Sequence, residues 1–156
     1  MNWIQALGPS ILMLIGGIVS WFLKTRVEEL KSIEKKLQDK RREIYIQILE
    51  PYILVFTGPK GKGLDKAVET IKTFTYKRIA FELNLFGSDE VVRAYNDLFQ
   101  YLIKLDSANQ KNHKETMRVF GNFLLEIRKS LGNKSTELNE YDMLRGLLND
   151  IDQYLN

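Results

Sequence analysis

No side chain between Met1 and Lys24 carries a charge, and no other feature of this chain restricts its folding as strongly. From Trp3 to Leu23 the only polar side chains are Gln5, Ser10 and Ser20. A helix that packs on a globular core shows a wide polar face over that length, and this stretch does not. At a rise of about 1.5 Å per residue it spans about 30 Å, the thickness of bilayer hydrocarbon. A cleaved secretory signal opens on basic residues and closes on small ones. Here nothing basic precedes the run, which closes on the bulky Ser20-Trp21-Phe22-Leu23. The stretch predicts a transmembrane anchor over 1–23. Trp3 and Trp21, the only two tryptophans, stand 18 residues apart and suit the two membrane interfaces.

The flanks predict orientation. Lys24, Arg26, Lys31, Lys35 and Lys36 follow the run closely and only Met1 and Asn2 precede it, so the positive-inside rule places the C-terminal side in the cytoplasm. The expected location is the inner membrane, single-pass, with the N-terminus outside. About 130 residues remain, enough for one core. The absence of cysteine agrees with a reducing compartment.

After the anchor, Val27, Leu30, Ile33, Leu37, Ile44 and Ile48 trace one helical face without Gly or Pro, so a stem helix is predicted over 24–50, ended or kinked by Pro51. Lys24 to Arg42 carries eight bases against four acids, a surplus that suits either a solvated face with i,i+4 pairs or anionic lipid heads. The basic connector "TGPKGKGL" lacks the strand and the closing Gly-Lys-Ser/Thr of a phosphate loop. A second helix follows from Ala67 to Phe86, stopped at Gly87. Ser88 is a candidate N-cap for a third, with Val91, Tyr95, Leu98 and Leu102 at helical spacing. A fourth carries Met117, Phe120, Phe123, Leu124 and Ile127 and closes at Gly132, and a fifth is expected near Tyr141 to Leu155. No period-two pattern appears. The predicted fold is all-α: an N-terminal transmembrane helix continuing into a long stem, and a cytosolic bundle of about four to five helices over 51–156.

The inventory for catalysis is thin. With no cysteine and one histidine, thiol chemistry, most zinc sites and two-histidine mechanisms are excluded. His113 lies in the polar stretch "NQKNHKET", Asp89 and Glu90 match the acidic first turn of a helix, and five acids against Arg145 in 137–152 suit a solvated face. No metal, cofactor or catalytic residue is expected.

"LLEIRKSLGNKSTEL", Leu124 to Leu138, presents Arg128 and, five positions on, Asn133. Helical nucleases of the HEPN superfamily carry Arg, four residues, then His at the end of a bundle helix. Asn stands here in the histidine's place, and an amide cannot shuttle the proton that RNA cleavage requires. Arg128 and Lys129 also suit the C-terminal dipole of a helix, with Gly132 or Asn133 as its left-handed cap. The overall plan resembles the HEPN-like membrane proteins that accompany type VI CRISPR systems. That resemblance implies a transmembrane helix, a cytosolic helical bundle with a degenerate Arg-x-x-x-x-His motif, and a ring-shaped membrane pore that strengthens anti-phage defence.

On a wheel of about 100° per residue, Gln5, Pro9, Gly16 and Ser20 share one side of the anchor. A small or polar stripe permits close helix approach or lines a pore. The expected function is a non-enzymatic membrane effector that forms a homo-oligomer and perturbs or permeabilises the membrane. The alternative is a membrane-tethered scaffold or sensor that recruits a cytosolic partner. Membrane lipid, further copies of the chain, and a cytosolic protein or RNA are the expected partners.

Overall fold

Apolar residues recurring every three or four positions become helices along almost the whole chain. The computed structural model describes the backbone of 3–57, 62–108 and 112–148, and the side chains of 18, 20–55, 62–104 and 112–148. Among these residues the protein is all-α, with five helices and no strand. They are α1 (Trp3–Thr57), α2 (Lys62–Lys72), α3 (Phe74–Phe86), α4 (Asp89–Ala108) and α5 (His113–Ser130). No helix among the described residues is long and apolar enough to cross a membrane. Most of the expected anchor lies outside them, because its side chains at 3–17 and 19 are not described.

The chain divides into two compact units, residues 1–39 and 40–156. In the first, α1 carries a solvated helix surface from Trp21 onward. Lys24 pairs with Glu28 at 3.9 Å and Arg26 with Glu29 at 3.1 Å, exposed pairs worth a few tenths of a kcal/mol each. The Arg26 guanidinium lies 5.4 Å from the centre of the Phe22 ring. On the same helix Val27, Leu30 and Ile33 are about half exposed or more.

The second unit holds the core. Ile44, Tyr45 and Ile48 of α1, spaced for one helical face, are essentially inaccessible. They meet Tyr76, Ile79 and Leu83 of α3, Val91, Tyr95 and Leu98 of α4, and Phe120, Phe123 and Ile127 of α5 in one cluster. The contacts of α4 with α5 run in opposite senses along the two helices. Tyr95 packs on Phe123 with ring centres 5.7 Å apart, while Tyr101 bonds to Asn112 and Thr116 one or two turns away. The pair is an antiparallel hairpin. Polar ties join α1 to α3: Arg41 Nε donates to the Phe86 carbonyl at 2.7 Å, and Lys40 pairs with Glu82 at 3.0 Å.

Three sequence expectations require correction. First, of the two outcomes expected at Pro51, an end or a kink, the end does not occur, since α1 runs on to Thr57. Pro51 is itself fully buried, and burial offsets the missing N–H that makes proline a helix breaker. Second, the single helix expected from Ala67 to Phe86 is two, broken at Thr73. Thr73 adopts an extended backbone, and its hydroxyl accepts from the Tyr76 N–H at 3.1 Å while donating to the Thr70 carbonyl at 2.7 Å. A side chain that bonds the backbone both ways stops one helix and starts the next. Third, the helix expected near Tyr141 to Leu155 is, as far as it is described, a series of turns over 140–147. Asn139 Oδ1 accepts from the N–H groups of Tyr141 and Asp142, and the next bonds tighten to Leu144–Tyr141 and Leu147–Leu144. The turns seat Leu144, which is fully buried.

Candidate functional site

Where the C-terminal part of α1, α2, the end of α4 and the start of α5 meet, the side chains leave a cavity of about 650 Å³. Its wall includes Pro51 and Tyr52 from α1, Ala67 and Ile71 from α2, Leu98 and Leu102 from α4, Met117 and Phe120 from α5, and Leu144 and Leu148 from the final turns. The elements follow from local chemistry. Asn112 caps α5 by accepting from the Glu115 N–H at 3.1 Å, which sets His113, Thr116 and Met117 on its first turns. Glu115 is held below the usual carboxylate range, chiefly by its hydrogen bond from Arg118 at 2.7 Å, and so completes an acidic first turn. Lys72 ends α2, where a cation answers the helix dipole.

Polar groups around the cavity are few. The Thr116 hydroxyl donates to the Asn112 carbonyl at 2.8 Å. Lys72 and His113 are the basic side chains of the wall, and no acid lines it among the described residues. Val55, Leu64, Val68 and Ile103, also in the wall, are 41 to 60% exposed, so the cavity opens to solvent along an apolar lip.

Beside it three phenols gather. Tyr95 donates to the Tyr76 hydroxyl at 3.5 Å, and Tyr76 donates to the Ile48 carbonyl at 3.4 Å. Burial is the main cause that pushes the Tyr52, Tyr76 and Tyr95 hydroxyls above the ordinary phenol range. The Tyr52 hydroxyl is buried without a hydrogen-bond partner among the described residues, although it lies near enough to Tyr76 to disturb that group's ionisation. Nearness without alignment is not a hydrogen bond.

The residues singled out in the sequence lie elsewhere. Arg128 and Asn133 come together at the end of α5 on the Arg128 backbone carbonyl, which accepts from the Asn133 side-chain Nδ2 at 3.5 Å as well as from its N–H. The Asn133 N–H donates to the Arg128 carbonyl at 3.3 Å, and the Gly132 N–H donates to Lys129 at 3.1 Å. Gly132 has φ of +113°, in the left-handed region. This is a Schellman cap, whose outer bond spans five residues, the same spacing as the Arg-x-x-x-x-Asn pair. The Arg128 guanidinium is turned to the Thr136 hydroxyl at 3.2 Å. Of the expected anchor residues, Ser20 and Trp21 are exposed, and the side chains of Trp3, Gln5, Pro9 and Gly16 lie outside the described residues. Among the described residues no three His, Cys, Asp or Glu side chains are grouped to hold a metal ion.

The sequence reading missed the cavity. Its residues fall on four helices and a turn, and each apolar position reads as an ordinary core position when its own helix is considered alone. No protein family, curated protein or solved structure matches the chain.

Proposed function

We propose that the chain is a membrane-anchored helical effector. In this reading residues 1–23 cross the inner membrane once with the N-terminus outside, 24–156 lie in the cytoplasm, and copies assemble into an oligomer that perturbs or permeabilises the bilayer in anti-phage defence. The observation that carries the reading is the exposed apolar row Val27, Leu30, Ile33 and Leu37, directly after the uncharged run. Leu23, Leu30 and Leu37 recur every seven residues with Ile33 between the last two, the spacing at which helices of separate copies interlock. An exposed row of this kind supports association because burying it removes apolar surface from water. Ser20 with Gly16 adds a small-residue pair that supports close approach inside the bilayer. Arg128 and Asn133 act in this reading without RNA cleavage.

The test is the mass of the particle extracted in mild detergent, together with dye release from vesicles after reconstitution. A closed oligomer that releases dye supports the reading, and a monomer that leaves vesicles intact overturns it. The second reading, a membrane-tethered scaffold or sensor with a cytosolic protein or RNA partner, is favoured by the apolar cavity of the bundle. It predicts full activity when a foreign transmembrane helix replaces residues 1–23, whereas the effector reading predicts loss.

A further inference from the structure

The cavity has a one-sided chemistry that the assembly reading does not use. Its volume of about 650 Å³ lies within the range of about 300–1,000 Å³ typical of small-molecule sites. Among the described wall residues there is no acid, and Lys72 brings an ammonium to the rim. Lys72 makes no ion pair among the described residues. His113 opens α5, whose N-terminal end adds partial positive charge. Of the remaining described wall, Thr116 is engaged with Asn112, Tyr52 adds a phenol, and the other residues are aliphatic, aromatic or thioether.

We propose that this cavity binds one free long-chain carboxylate, with its acyl chain along the apolar wall and its carboxylate at Lys72 on the exposed rim. A cationic amphiphile would meet like charge at the Lys72 ammonium, and a neutral hydrocarbon would gain no ion pair from it. One chain suits the volume better than the two of a membrane phospholipid. The exposed lip at Val55, Leu64, Val68 and Ile103 gives an aliphatic chain an apolar way in.

The experiment uses the full chain in phosphatidylcholine nanodiscs and palmitate carrying a diazirine on its chain. A parallel arm uses phosphatidylcholine with the same photoreactive chain. After illumination, labelled peptides are mapped by mass spectrometry. The proposal expects the free acid to label the peptides containing Leu102 and Met117. Unlabelled palmitate, myristate and laurate should compete with potencies, expressed as free aqueous concentrations, falling about fifteenfold for every two methylenes removed, since each methylene taken from water is worth about fourfold. Lys72→Glu should weaken labelling at least tenfold. Ala67→Trp and, from a second helix, Leu102→Trp should abolish it by filling the space, while the chain-length series on the unaltered protein needs neither variant. Labelling by the phospholipid alone would assign the site to membrane lipid and overturn the proposal. So would absence of label from both peptides, a flat chain-length response, or indifference to Lys72→Glu.

Discussion

Glu140 lays its backbone carbonyl against Gly121 so closely that a Cβ on Gly121 would overlap it. Glycine in mid-helix costs about 1 kcal/mol relative to alanine, and α5 accepts that cost because the turns carrying Leu144 dock there. Gly121→Ala should therefore destabilise the bundle by about 1–3 kcal/mol, the strain of overpacking less the propensity gain. Thermal unfolding followed by circular dichroism checks this. An unchanged or raised midpoint would show that the 139–148 segment yields freely.

Gly132 is constrained for the opposite reason. Space around it is open, but its φ of +113° is strained for any residue with a Cβ. Gly132→Ala should cost about 1 kcal/mol, and Asn133→Ala less, because the Asn133 backbone N–H still closes the cap and only the long 3.5 Å bond from its Nδ2 to the Arg128 carbonyl is lost. In an RNA assay the unaltered protein should leave single-stranded RNA intact, and Arg128→Ala should change only stability. Cleavage lost with Arg128→Ala would restore a nuclease reading.

Tyr45 stitches three helices with one oxygen. It accepts from the Ser88 N–H at 3.1 Å ahead of α4 and shares a hydrogen bond with the Ser130 hydroxyl at 2.9 Å at the end of α5. Tyr45→Phe keeps the ring and strands both partners, so a loss of about 1–3 kcal/mol is expected in denaturant unfolding. Ser130→Ala, which leaves the Ser88 bond in place, should cost less.

Alkali should unfold the bundle. Unfolded phenols lose their protons near pH 10.0, whereas Tyr52, Tyr76 and Tyr95 keep theirs to higher pH while buried. Above about pH 10 the unfolded state thus binds fewer protons than the folded one, and stability falls as pH rises. Below that pH both states are protonated and the contribution is complete. Tyrosinate absorbance and loss of helical circular dichroism should rise together, and Tyr76→Phe should move the midpoint to higher pH. Tyrosinate formation complete before helix loss would show the cluster to be open to water.

Periodicity made the helices legible, and the lack of any period-two pattern made the all-α class legible. Local chemistry that competes with periodicity was harder to read. Thr73 sits amid apolar positions that continue across it, and only its two-way hydrogen bonding breaks the helix. Pro51 has the opposite history, a breaker tolerated because tertiary burial outweighs it. The cavity was illegible because it exists between elements. Ala67, 3% exposed, reads as one more core alanine, and only packing shows that it lines an opening.

The stem offers the sharpest test of assembly. Leu30 is 65% exposed and Leu37 is 37% exposed, so neither supports the fold of a lone chain strongly. Glutamine keeps helix propensity close to that of leucine while removing the apolar surface. Leu30→Gln with Leu37→Gln should therefore leave the thermal unfolding of the bundle within about 1 kcal/mol, as exposed substitutions do. In an oligomer joined along this row, the same pair of changes should lower the mass of the detergent-extracted particle and reduce dye release together. Gly16→Leu alters the other surface, the small stripe of the anchor, and keeps it apolar. If the stem variant leaves the mass unchanged and Gly16→Leu lowers it, the anchor holds the copies together and the exposed row faces a different partner. If neither changes the mass or the leak, the chain does not assemble through residues 1–39, and the effector reading fails with it.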